Sequence, residues 1–225
     1  MIERLYMCGD YSMVVADFYQ KHAGCPGWII GNGPSLLEMD LGHLQDSVTF
    51  GANRIYKYDG FVPKYYCIED WLLMRQIRQE IDEWEPDVIK FIPTDLLKYL
   101  TIKENVIPVN FIREKNPKHQ YAFSADCAKA VYWGSTVTFM MLQLSVYMGC
   151  NPIYLLGMDG IKSGKPKHFY EQDGVKNNTA KYDKVNTAMN VAVSFCAGAG
   201  VEIFNATPNP VTSFWPLVKY EDVVQ

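Results

Sequence analysis

Polar residues stand at the ends of several apolar runs in this chain, where they could bind a phosphorylated or hydroxylated ligand. The first run, 28–30, leads into Gly31-Asn32-Gly33-Pro34-Ser35. Glycines leave the backbone amides of such a loop open to a phosphate. Asn32 is the side chain between them that can both donate and accept hydrogen bonds. The loop therefore predicts a nucleotide or phosphate site.

Two common phosphate-binding motifs do not match this loop. It lacks the G-x-G-x-x-G pattern of dinucleotide-binding proteins, and no G-K-[ST] of a P-loop follows it. A purely structural alternative is a tight turn in which Pro34 opens a helix. Both interpretations are kept at this stage.

Later apolar runs end in similar polar residues. These residues are Asn53, Glu69, Asp70, Asp159 and Asn205. In a parallel sheet the carboxyl ends of the strands share one edge, where α/β proteins bind ligands at the topological switch point. Turn formation alone also favours Asn and Asp. As a set, they predict a binding site.

The segment Gly134-Ser135-Thr136 precedes a long apolar helix. The free amides and positive end of that helix favour an anion, whereas the alternative is a plain N-cap. Asp159 could accept a hydrogen bond from a ribose or sugar hydroxyl, or bind a metal. No D-x-D motif stands near it, so we expect no metal requirement.

His168 is the histidine that lies in a candidate site loop. A histidine there can act as a general acid or base near neutral pH. The alternative is a surface histidine beside the neighbouring lysines. No serine or cysteine has the surroundings of a nucleophile elbow.

The elements that must position these residues alternate along the chain. We predict strands at 28–30, 47–50, 65–68, 88–92, 106–109, 153–156 and 201–204. We predict helices at 12–22, 71–84, 135–149 and 182–197. The fold class is α/β: a Rossmann-like, mostly parallel sheet with helices on both faces. Residues 1–225 form one domain, with 113–133 and 161–180 as lid or active-site loops.

Composition narrows the classes of protein to which the chain could belong. It has 225 residues, 48% of them hydrophobic, and a formal charge of −4. The negative charge argues against a nucleic-acid partner. The six cysteines are scattered, as in reduced cytosolic proteins. No run is long enough to span a membrane and no signal peptide is visible, so we expect a cytoplasmic protein, or one at the inner face of a membrane.

Five segments, in this order, resemble the bacterial sialyltransferases of glycosyltransferase family 42 and the related DUF115 and flagellar motility-accessory (Maf) proteins. The matching segments are 30–36, 52–56, 134–150, 152–159 and 205–210. The resemblance implies a GT-A-like variant of the Rossmann-like fold and a CMP-sugar donor held without a metal cofactor. It implies a glycan or protein acceptor, and a homo-oligomer is one form it allows.

The resemblance also implies roles for individual residues. Asn32 and Asn53, with the loop residues Gly33, Pro34 and Ser35, would contact the donor phosphate and sugar. Ser135 and Thr136 would meet the sugar carboxylate or the phosphate. The residues implied to surround the cytidine are Gly157, Asp159, Asn209 and Ser213.

The chain departs from that family at two catalytic positions. The family places tyrosines on the leaving phosphate, where they stabilise its developing charge. Gly160 and Ile161 stand where the first is expected, after the G-x-D segment, and we assign Tyr170 as the second. The catalytic histidine expected near 181–186 is absent, so we assign His168 as the base.

Three hypotheses follow. The first is an inverting glycosyltransferase that moves sialic acid or a related nonulosonic acid from a CMP-sugar. The second is a 6-hydroxymethyl-dihydropterin diphosphokinase, the activity of some archaeal DUF115-like proteins, which uses ATP and magnesium. Glu69, Asp70 and Asp159 could supply its carboxylates. The third is an inactive relative that binds the nucleotide-sugar without turnover.

Overall fold

A parallel sheet of seven strands forms the centre of the protein. The computed structural model describes residues 13–101, 103–113, 121–160, 167–171 and 182–224. The strands of this sheet are β1 (Gly27–Ile30), β2 (Val48–Ala52), β3 (Tyr65–Cys67), β4 (Ile89–Pro93), β5 (Val106–Val109), β8 (Ile153–Leu156) and β9 (Ile203–Asn205). A separate parallel pair is formed by β6 (Phe111–Ile112) and β7 (Val131–Tyr132). The predicted α/β fold with a mostly parallel sheet is confirmed.

The strand order is β5-β4-β3-β2-β1-β8-β9. The chain builds the sheet outward from β1 to β5 and then returns to place β8 on the other side of β1. The switch point therefore lies between β1 and β8, the position at which doubly wound sheets bind their ligands. β5 lies at the edge of the sheet, as predicted from Pro108.

Two apolar layers cover the faces of the sheet. The α-helices are α1 (Trp71–Glu83), α2 (Val137–Tyr147), α3 (Tyr182–Gly198) and α4 (Tyr220–Val223). Along β1, Ile29 packs into the core cluster that contains α2, whereas Trp28 and Ile30 pack into the cluster that contains residues of α1. Successive strand residues point to opposite faces, so β1 is buried on both sides.

Helix α2 is buried along almost its whole length, as its apolar sequence predicts. Its Gln143 is fully buried. The Gln143 side chain binds the backbone of Ser124 and Tyr132. The described part of the predicted lid at 113–133 is therefore attached to α2, and residues 114–120 lie outside the described residues.

The predicted helix at 12–22 is wrong. A 3-10 turn, Val15–Phe18, replaces it, and Gln20 has a φ of +53°, which an α-helix does not allow. The amides of Gln20 and His22 donate to the carbonyls of Tyr147 and Met148 instead of to their own segment. Ser12 lies outside the described residues.

Short 3-10 helices, rather than α-helices, fill the connections after β1, β2 and β4. They are Pro34–Glu38, Leu41–Leu44, Ile55–Lys57 and Thr94–Tyr99. Among the described residues, no helix is both long and apolar enough to cross a membrane.

Candidate active site at the β1–β8 switch point

The loops that follow β1 and β8 pack directly on one another. The amide of Gly31 donates to Leu156 O at 2.8 Å, and that of Gly33 donates to Gly157 O at 3.0 Å. A Cβ on Gly33 would overlap the Asp159 carboxylate and lie 2.6 Å from Gly157 O. Gly33 is therefore required for the close approach of the two loops.

Ser35 and Asp159 join the two loops through a buried pair of hydrogen bonds. The Ser35 amide donates to Asp159 Oδ1 at 3.0 Å, and Ser35 Oγ donates to Oδ2 at 2.7 Å. Both carboxylate oxygens thus have a partner within the protein. Pro34 is the first residue of the following 3-10 helix, which agrees with the turn interpretation.

A cavity of about 670 Å³ opens at this edge of the sheet. Most of the residues predicted from sequence lie on its wall: Asn32, Gly33, Asn53, Ser135, Thr136, Gly157, Asp159, His168, Tyr170 and Ser213. Three predicted residues, Pro34, Ser35 and Asn209, do not line it. Their predicted ligand contacts therefore have no support from the geometry. Ile161 and most of the predicted loop 161–180 lie outside the described residues.

Asn32 has a buried acceptor without a hydrogen-bond partner. Its Nδ2 donates to Ala52 O at 3.0 Å, and its buried Oδ1 has no hydrogen-bond partner among the described residues. Asn53, at the end of β2, likewise has a buried Oδ1 with no described partner. A phosphate oxygen has no hydrogen to donate to these oxygens, so they suit a ligand O–H or N–H. The predicted contact of the Asn32 side chain with a phosphate stays a prediction.

The segment 167–171 brings a histidine–carboxylate pair to the cavity. Phe169 anchors it, since its ring is buried and its amide donates to Asn32 O at 2.8 Å. His168 Nδ1 lies 2.7 Å from Glu171 Oε1. Glu171 Oε2 accepts from the amides of Lys167 and His168 at 3.0 and 3.1 Å. With Nδ1 bound to the carboxylate, Nε2 is the nitrogen left to exchange a proton with a ligand.

The surroundings of this pair keep the histidine neutral and the carboxylate ionised. Burial lowers the pKa of His168, its hydrogen bond to Glu171 raises it, and nearby Lys167 and Arg54 lower it, so that the net pKa is lowered. Burial raises the pKa of Glu171, but the hydrogen bonds from His168 and the backbone outweigh this and lower the net pKa. A neutral imidazole oriented by a carboxylate is suited to act as a general base.

Tyr170 stacks on the ring of His168 with centroids 5.0 Å apart and planes 5° apart. Burial, followed by the charge of Glu171, raises the pKa of Tyr170 to about 12. The hydroxyl is therefore protonated at neutral pH and able to donate a hydrogen bond to developing negative charge.

The start of α2 forms another part of the wall. Ser135 has a φ of +64°, and its Oγ lies 3.0 Å from the hydroxyl of Tyr121. Thr136 is the N-cap, and its Oγ1 accepts from the amide of Thr138 at 3.4 Å. The N-cap interpretation of Thr136 is thus supported, while the predicted anion contact stays a prediction.

The loop after β9 forms a further part of the cavity wall. Asn205 Nδ2 donates to Ser213 Oγ at 3.1 Å, and Ser213 Oγ donates to Trp215 O at 2.7 Å. Thr207 Oγ1 accepts from the amide of Met158, which ties this loop to the one after β8. Phe214 and Trp215 add aromatic side chains to the cavity wall. The sequence does not predict these two as site residues, because a loop sequence does not reveal which side chains turn inward.

The three carboxylates considered for a metal also line the cavity. Asp70 Oδ1 caps α1 by accepting from the amides of Leu72 and Leu73, and Asp159 binds Ser35. The described part of the chain contains no group of three or more His, Cys, Asp or Glu residues arranged to hold a metal ion. Glu69 and Asp70, adjacent at the end of β3, are the carboxylates that could share a cation with a bound phosphate.

Comparison with known proteins identifies the family of this chain. No curated protein matches the chain. The model of a family described as 6-hydroxymethylpterin diphosphokinase MptE-like matches residues 9–163, which include β1 to β8 and both loops of the switch point. This confirms the DUF115-related part of the predicted resemblance, whereas the relationship to sialyltransferases stays a prediction. Because the match covers more than half of its length, the chain belongs to the MptE-like family.

Proposed function

We propose that this protein is a transferase that moves a diphosphate group from a nucleoside triphosphate to a hydroxyl of a pterin-like acceptor. The observation that carries the proposal is His168, which is oriented by Glu171 on the wall of the switch-point cavity. The family match favours this chemistry over the other hypotheses.

The proposed reaction requires a base and a leaving group. His168 Nε2 takes the proton of the acceptor hydroxyl, and the resulting oxygen attacks the β-phosphorus of the nucleotide. The bond between that phosphorus and the oxygen bridging to the α-phosphate breaks, and the nucleoside monophosphate leaves. Tyr170, protonated at neutral pH, is placed to donate to charge that develops on the phosphates.

The unsatisfied oxygens of the cavity suit an acceptor that carries N–H groups. Asn32 Oδ1 and Asn53 Oδ1 need donors, and the amino and ring N–H groups of a pterin-like molecule supply them. Phe214 and Trp215 are aromatic residues on the same wall, and a flat ring can pack against aromatic side chains. These features support a flat, nitrogen-rich acceptor.

Glu69 and Asp70 fit the magnesium ion that such a reaction uses. In phosphoryl-transfer sites magnesium is commonly held by one or two carboxylates together with the substrate phosphates. These two residues would hold it, and the ion would neutralise phosphate charge when bound.

The test is a product assay with ATP, magnesium and 6-hydroxymethyl-dihydropterin, in which the nucleoside monophosphate and the diphosphorylated acceptor are separated by chromatography. We expect the native protein to form both products in equal amounts. His168→Gln should lose about 10²-fold or more of the rate, as expected for a general base. The matched control is His43→Gln, because His43 is an exposed histidine away from the cavity. Equal rates in the native protein and His168→Gln would remove the proposed base.

Glycosyl transfer from a CMP-activated nonulosonic acid is the second candidate. The same two acceptor oxygens favour it, because a sugar carries hydroxyl donors on most of its carbons. In this case His168 would deprotonate the acceptor hydroxyl and CMP would leave. CMP release from a CMP-sugar, without AMP release from ATP, would select it. Tight binding of either nucleotide with no product would select the inactive relative.

A further inference from the structure

Arg54 is a partly buried cation on the wall of the cavity. It follows Asn53 at the end of β2 and precedes the 3-10 helix Ile55–Lys57. Its Nη2 donates to Gln76 Oε1 of α1 at 3.2 Å, and its Cζ lies 6.0 Å from the centroid of the Tyr170 ring. Both partners are neutral, so neither cancels the charge.

Some other cations of the described residues have carboxylate partners. Arg113 Nε lies 2.8 Å from Asp95, and Lys129 Nζ lies 3.0 Å from Asp126. Across the described ranges, Arg54 takes part in no ion pair. An anion bound in the cavity would give this guanidinium a counter-charge.

Four carboxylates line the same cavity, and none of them forms an ion pair with Arg54: Glu69, Asp70, Asp159 and Glu171. Glu171 binds His168 and two backbone amides, and Asp70 caps α1. Asp159 binds Ser35 on the other loop. Lys167 adds a second positive charge to the same wall. Arg54 and Lys167 are therefore the Lys and Arg side chains among the described lining residues that an anion could contact.

We infer that Arg54 is the residue that binds the diphosphate group which the enzyme transfers. A guanidinium presents paired N–H donors that match two phosphate oxygens, and it keeps its charge throughout the accessible pH range. His168 and Arg54 both lie within about 6 Å of the Tyr170 ring, so a diphosphate held by Arg54 lies near the base. The inference rests on the proposed function for the identity of the anion.

The test measures the affinity of inorganic pyrophosphate for the full chain by titration calorimetry. Arg54→Gln removes the charge and should weaken binding about tenfold or more, the effect expected for one charge-assisted contact. Arg54→Lys keeps the charge without the paired donors and should fall between Arg54→Gln and the native protein. The matched control is Arg78→Gln, which removes an exposed arginine from α1 outside the cavity and should stay within about twofold.

Two results of the calorimetry overturn the inference: Arg54→Gln binds pyrophosphate as tightly as Arg78→Gln, or the native protein does not bind pyrophosphate. Thermal melts of each variant establish that it is folded, and Arg54→Lys serves if Arg54→Gln is not. If only the proposed function fails, the native protein binds pyrophosphate and the affinity depends on Arg54, but the native protein forms no product from ATP. If Arg54→Gln forms product with native kinetic constants, the proposed function holds but Arg54 does not bind the transferred group.

Discussion

At the scale of single residues, the hydrogen bonds of Asn32 show which of its polar atoms lacks a partner. An isolated asparagine can donate and accept, and the sequence leaves both options open. In the folded chain one N–H of Nδ2 donates to Ala52 O, and the buried Oδ1 has no partner among the described residues. We therefore expect Asn32 Oδ1 to accept a hydrogen bond from a ligand O–H or N–H. We expect contact with a phosphate to come from cations such as Arg54.

Glu171 is the residue whose replacement best separates positioning from proton transfer. In Glu171→Gln, we expect the maximal rate to fall about 10- to 100-fold, part of the 10²–10⁴-fold that a general base supplies, because the imidazole is no longer held by a carboxylate. The Glu171 charge raises the pKa of His168, so its loss lowers that pKa. Activity requires neutral His168 and rises as the pH passes its pKa. The acidic limb of the pH–rate profile should therefore move to lower pH.

The measurement is the rate of product formation against pH for the native protein and the variant. Glu38→Gln serves as control, because Glu38 is exposed and does not line the cavity. A fall in rate with an unmoved acidic limb would mean that Glu171 only supports the fold of 167–171.

At the scale of elements, strands are easier to predict than the first helix. The strand runs are short, apolar and bounded by turn residues, and their burial on both faces agrees with that pattern. The apolar spacing of 12–22 is helical, yet its amides pair with the carboxyl end of α2, far away in the chain. A local pattern contains no information about such a partner.

Gly33 tests the packing between the loops of β1 and β8. Its φ of −66° suits any residue, so Gly33→Ala introduces no backbone strain. The new methyl group would instead overlap Asp159 and Gly157. We expect a loss of about 1–3 kcal/mol in the free energy of unfolding, as for other overpacked sites. Urea titration followed by circular dichroism measures it.

Gly198→Ala is the matched control for this change. Gly198 is the last residue of α3, and a methyl group added there would have no neighbouring atom within 4 Å among the described residues. Alanine favours helices more than glycine does, so this variant should be as stable as the native protein or up to about 1 kcal/mol more stable. Equal stability of Gly33→Ala and the native protein would show that the two loops can separate freely.

At the scale of the whole molecule, the parallel topology explains which site residues the sequence reveals. Asn32, Asn53 and Asp159 follow strands, and the sheet gathers such residues at one edge. The positions of Arg54 and Glu171 depend instead on their neighbours. Arg54 donates to Gln76 of α1, and Glu171 accepts from the backbone within 167–171. That fold depends on the burial of Phe169, which no spacing in the sequence indicates.

A ligand that fills the cavity joins loops from β1, β2, β8 and β9, so its binding should stabilise the whole domain. A nucleotide at 100 times its Kd adds about 2.7 kcal/mol to the free energy of unfolding, which raises the Tm of a domain of this size by about 5–10 °C. We expect this rise with ATP and magnesium in a thermal melt, and a smaller one with adenosine, which lacks the phosphates that Arg54 and Lys167 would bind. An equal rise with adenosine would mean that the protein binds the nucleoside and that the phosphates add nothing to the affinity. If ATP, CMP and a CMP-sugar all leave the Tm unchanged at millimolar concentration, the cavity is not a nucleotide site.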